Sequence, residues 1–89
     1  MNKENLTVRL KVKDFNAWRT SYNGGEQGRV AAGITNGRVF RNADDPNEVV
    51  VLQDVSDVAK ARTLLGSEDL KAAMQKSGVI GSPSIRFAA

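Results

Sequence analysis

Eighty-nine residues with 13 Lys or Arg against 10 Asp or Glu, a net charge of +3 at pH 7, make room for a single domain spanning residues 1–89. The chain contains neither Cys nor His, which removes disulfides and the commonest ligands of zinc, haem and copper, so no metal or other cofactor is expected. It has no 18-residue apolar run, and MNKENLTVRL lacks an apolar leader core; a soluble, cytoplasmic protein without membrane contacts is expected.

Charge is uneven along the chain. Residues 1–41 carry eight Lys or Arg against three acids, and residues 42–89 carry five against seven. A basic half is one mark of nucleic-acid binding, but scattered Lys and Arg on exposed positions also serve solubility.

Leu6, Val8, Leu10 and Val12 alternate with Thr7, Arg9, Lys11 and Lys13, the period of a first strand with one apolar and one basic face. Asp14 or Asn16 can then cap a helix whose Phe15, Trp18 and Tyr22 recur at i, i+3 and i+7. Asn23-Gly24-Gly25 interrupts that helix, since each interior glycine costs about 1 kcal/mol relative to Ala. Glu26 to Ala32 should resume as a second helical piece that Gly33 stops.

Residues 37–52, GRVFRNADDPNEVVVL, read as a long β-hairpin. Val39, Phe40 and Val49 to Val51 favour pleated surfaces, while Asp44, Asp45, Pro46 and Asn47 supply turn chemistry. Ser56 or Asp57 can cap a short helix with Val58, Ala61, Leu64 and Leu65 on one side, ending near Gly66. Ser67 opens another, with Glu68 and Asp69 in its first turn and Leu70, Ala73 and Met74 apolar, which Gly78 ends. A last strand covers Ser84 to Ala88, with Pro83 at its start.

The order is strand, helix, strand, strand, helix pair, strand. This predicts an α+β fold, a ferredoxin-like βαββαβ domain with a four-stranded antiparallel sheet. If Leu6, Val8, Leu10, Val50, Leu52, Ile85 and Phe87 face the helices, then Val49, Val51, Val55 and Phe40 share the other face with Arg9, Gln53 and Arg86. That face is too apolar to stay wet, and covering it with a second copy predicts a homodimer.

FxxW at Phe15 and Trp18, AGITxGRVFR from Ala32, DDPNEVVVL from Asp44 and LKxAMxxxGVxGxPxIxF from Leu70 resemble the dimeric α/β-barrel superfamily. Within it, the chain is similar to small bacterial proteins grouped with antibiotic-biosynthesis monooxygenases, often labelled cyclases. The resemblance spans Val8 to Phe87. It implies two sheets closing a barrel across a homodimer and an apolar pocket between each sheet and its helices. Members include cofactor-independent oxygenases of aromatic polyketides, haem degraders, isomerases and proteins with no known reaction. Haem degraders need a ligating His, which this chain lacks.

The expected ligand-binding residues are Phe15, Trp18, Tyr22, Asn36, Arg38, Leu65 and Met74, around a small apolar or aromatic molecule; no catalytic residue is assigned. Phe15, Trp18 and Tyr22 equally suit a core. Arg9, Arg38 and Arg86 suit either an anionic substrate or cross-strand ion pairs, and Asp44 and Asp45 suit turn formation. An RNA-recognition domain shares this element order but stacks bases on strand aromatics; Leu6 to Val12 and Glu48 to Val55 contain none, so no nucleic-acid partner is expected. Two functions stay open: metal-free oxygenation of an aromatic substrate, and a non-catalytic ligand-binding or interaction dimer.

Overall fold

A computed structural model describes residues 4–88. Its elements are β1 (Glu4–Val12), α1 (Phe15–Gly24), α2 (Glu26–Ala31), β2 (Ile34–Arg41), β3 (Glu48–Val55), α3 (Val58–Leu65), α4 (Glu68–Lys76) and β4 (Val79–Ala88). All strand pairs are antiparallel and the sheet order is β2-β3-β1-β4. This is the ferredoxin-like α+β arrangement, with each helical crossover divided into two pieces.

Local chemistry accounts for the divisions. Asp14 caps α1, its carboxylate accepting from the backbone N–H of Asn16 at 2.9 Å. Gly25 separates α1 from α2 as a single non-helical residue. Gly33, at φ 79°, turns the chain from α2 into β2, where a side chain would strike Ser56. Asp57 caps α3 and Ser67 caps α4. In the hairpin, Asn42 accepts from the Asp44 N–H at 2.8 Å and Asp45 from the Asn47 N–H at 3.0 Å. Asn42, rather than Asp44 or Asn47, shares the turn-forming work with Asp45.

The core packs Leu6, Val8, Leu10 and Val12 of β1 beside Val49, Val51 and Val55 of β3, beneath Trp18 and Ala61. The expected phase of β3 is therefore reversed. Pairing sets Val8 opposite Val51, Leu10 opposite Val49 and Leu6 opposite Gln53, so Val49, Val51, Gln53 and Val55 face the helices while Val50 and Leu52 face away. A one-residue shift exchanges the whole set because side chains alternate along a strand. The open face carries Val50, Leu52, Phe40 and Ile80 among Thr7, Arg9, Lys11, Arg38 and Arg86, with Phe40 53% and Ile80 48% exposed.

Both edge strands are irregular. In β2 the register shifts between Thr35 and Arg38, and Asn36 adopts φ 55°, a left-handed conformation that Asn tolerates. β4 begins at Val79, earlier than Ser84. Its pairing with β1 jumps between Ile80 and Ser84, leaving Gly81, Ser82 and Pro83 opposite Leu10. Pro83 thus sits in a bulge rather than at a strand start, where its missing N–H costs no ladder bond.

Candidate active-site cleft

Between the sheet and the helices lies a cleft of about 870 Å³, within the range of about 300–1,000 Å³ usual for small-molecule sites. Val8, Leu10, Ile34, Val51 and Gln53 form its floor. Trp18, Tyr22 and Arg29 line it from the α1–α2 side, and Leu64, Leu65, Leu70 and Met74 from the α3–α4 side. The exposed Gly25, Gly28, Lys60 and Asp69 mark its rim.

Tyr22 is the centre of the polar chemistry. Its ring stacks on Trp18, with centroids 5.1 Å apart and planes inclined by 27°, and the Arg29 guanidinium lies 3.7 Å from the Tyr22 centroid. Gln53, only 4% exposed, is the one buried polar side chain among the described residues. Its amide Nε2 donates to the Tyr22 Oη at 2.8 Å. With one lone pair so engaged, the hydroxyl still has its own proton, which it gives to no acceptor among the described residues.

The backbone of β2 makes this placement feasible. A Cβ on Gly37 would stand 2.5 Å from the Tyr22 Oη, so only glycine admits the phenol there. The irregularity at Asn36 and Gly37, opposite Gln53, brings the bare backbone to the ring.

Of the residues expected from sequence, Trp18, Tyr22, Leu65 and Met74 line the cleft. Phe15 lies outside it, in the first turn of α1, 5.9 Å from the Trp18 ring centroid and beneath the Arg41 guanidinium. Asn36 and Arg38 also lie outside, on the open face of the sheet. Both engage Asp54, Asn36 by a hydrogen bond of 3.1 Å and Arg38 by an ion pair of 3.6 Å. The phase of β2 after its register shift pairs Arg38 with Leu52 and so turns it from the helices. Arg9 pairs with Glu48 at 3.7 Å on the same face, which is the cross-strand role. Sequence reading missed Gln53 and Arg29. Among the described residues no three Asp or Glu side chains converge to hold a metal ion, and no helix is long and apolar enough to cross a membrane.

No sequence-family model and no curated protein matches the chain. Solved structures do. A Bordetella bronchiseptica protein named as a candidate antibiotic biosynthesis monooxygenase superposes with a TM-score of 0.79 at 10% identity, over 100% of this chain and 97% of that one. The fold is that of the antibiotic-biosynthesis-monooxygenase-like proteins. SnoaB of Streptomyces nogalater, a cofactor-independent oxygenase, matches with a TM-score of 0.71 at 12% identity, over 100% of this chain and 95% of its own. A conserved Methanosarcina mazei protein gives 0.71 at 12%, over 98% and 91%. Antibiotic-biosynthesis-monooxygenase-like folds thus carry names from oxygenase to none, and at such identities the shared property is the fold.

Proposed function

We propose that the chain works as a homodimer whose cleft binds a small aromatic molecule and oxygenates it without a cofactor. The observation that carries this reading is the Tyr22 hydroxyl, held by buried Gln53 in a cleft lined largely by apolar side chains. The likeness of the fold to a cofactor-independent oxygenase adds support.

In such a reaction the substrate supplies the electrons. An anthrone-type carbon that has lost its proton to solvent before binding is an electron-rich carbanion delocalised onto its ring oxygen, and solvent returns that proton to the peroxide formed later. The Tyr22 O–H would donate to that oxygen and stabilise the charge as it develops. The carbanion reduces O₂ and forms a C–O bond, and the resulting hydroperoxide loses water to give the ketone: a CH₂ group and O₂ become C=O and H₂O. Val8, Leu10, Val51 and Leu65 would exclude water from the reacting face. The dimer would form through the open sheet face, whose Phe40, Val50, Leu52 and Ile80 make a mixed apolar and cationic surface.

An oxygen electrode with an anthrone substrate tests the proposal. Turnover should occur in metal-free buffer, and Tyr22→Phe should lower kcat by about 100- to 1,000-fold, the weight of one well-placed oxyanion donor. Binding without oxygen uptake would instead make the protein a ligand-binding dimer.

A further inference from the structure

The chemistry of Arg29 narrows the ligand class. This side chain is half-buried and lines the cleft, and its guanidinium stacks on the Tyr22 ring. Among the described residues its N–H groups make no hydrogen bond, and no carboxylate forms an ion pair with it. Arg9, Lys11 and Arg38 each have an acidic partner on the open face. A guanidinium carries five donors in a planar fork, and stacking occupies its face while leaving the fork's edge free. The Tyr22 hydroxyl beside it also retains a proton to give.

We propose that Arg29 and Tyr22 together form an oxyanion-binding pair, and that the natural ligand is an aromatic anion with its negative charge on oxygen. This rests on the reading that the cleft holds an aromatic molecule and adds the charge that molecule must carry. The apolar body lies against Leu10, Val51, Leu65 and Met74, and the oxygen sits between the guanidinium edge and the phenol.

The break between α1 and α2 serves this arrangement. Gly25 has φ −91° and ψ 7°, which any residue can adopt, so its backbone does not require glycine. Space bears on it instead: a Cβ there would stand 3.1 Å from an Arg29 guanidinium nitrogen, so the guanidinium would have to move by a few tenths of an ångström from its place over Tyr22. Gly25 lets Arg29 fold back over Tyr22. At Gly24 a Cβ would meet nothing within 4 Å, which makes the neighbouring glycine a matched control.

Isothermal titration calorimetry of the whole protein with paired probes tests the assignment. 2-Naphthoate is compared with neutral 2-naphthamide, and 4-nitrophenolate, in mildly alkaline buffer, with 4-nitroanisole. The two pairs distinguish a carboxylate from a phenolate or enolate. At least one anion should bind about tenfold or more tightly than its neutral twin, as charge-assisted hydrogen bonds provide. Arg29→Gln should abolish the preference, Arg29→Lys should retain part of it, and Gly25→Ala should weaken it several-fold while Gly24→Ala leaves it intact. Equal affinity for both members of each pair, an unchanged preference in Arg29→Gln, or no binding of any probe would overturn the proposal. Anion preference without oxygen uptake would sink the oxygenase reading alone; oxygen uptake without anion preference would sink this one alone.

Discussion

Gly37 and Tyr22 are spatial partners although fifteen positions separate them, and each explains the other. A methyl group at Gly37 would collide with the phenol oxygen, so Gly37→Ala must push Tyr22 off Gln53 or distort β2. Urea denaturation should show a loss of about 1–3 kcal/mol, the usual cost of overpacking. Gly24→Ala is the converse case, with open space and an ordinary backbone, and should raise stability by about 0.5–1 kcal/mol. Asp45 gives a pH signature. The Asn47 N–H and then the Lys11 ammonium, 3.2 Å away, hold its carboxyl below the ordinary value of 3.8. A folded pKa below the unfolded one means its contribution is present above the unfolded value and is lost as pH falls through the folded one. Stability of the wild type relative to Asp45→Asn should therefore be flat near neutrality and converge once the pH drops below 3.8.

β3 shows where sequence legibility ended and why. Four consecutive apolar residues, Val49 to Leu52, suit either phase, and taking Val50 and Leu52 as inward sent Gln53 to the wrong face. The charges contained the answer. Glu48 and Asp54 share parity with Val50 and Leu52, whereas Val49, Val51, Gln53 and Val55 include no charged residue, and charges are rarely buried unpaired. The helix caps were readable as Asp14 or Asn16, Ser56 or Asp57, and Ser67, of which the structure uses Asp14, Asp57 and Ser67, and the break at Gly25 and the stop at Gly33 were readable too, because each depends on neighbours within a few residues. Arg29 was not, since its role comes from folding back across the break onto Tyr22. Adjacent substitutions separate the two faces of β3. Val51→Asp buries an unpaired charge and should cost more than about 3 kcal/mol, leaving the protein largely unfolded by circular dichroism. Leu52→Asp should keep the fold.

At the scale of the molecule, that second substitution is also the test of assembly. Leu52 and Val50 occupy the middle of the open face, flanked by Phe40 and Arg9. If a second copy covers this face, sedimentation should find the wild type dimeric and Leu52→Asp shifted toward monomer by about 2 kcal/mol or more, the scale of a central contact. A monomeric wild type would remove the barrel altogether. The element order pointed from sequence to the ferredoxin-like α+β fold that the chain adopts. The cleft did not emerge so directly, because its polar centre joins α1, α2, β2 and β3 through contacts between distant positions. One more consequence lies at the rim of the sheet. β4 is ten residues long and borders no other strand on its outer side, and a long, regular free edge invites strands of other chains to add without limit. The bulge at Gly81, Ser82 and Pro83 divides that edge into two short stretches, so even a lone copy of the chain presents a poor template for fibre growth.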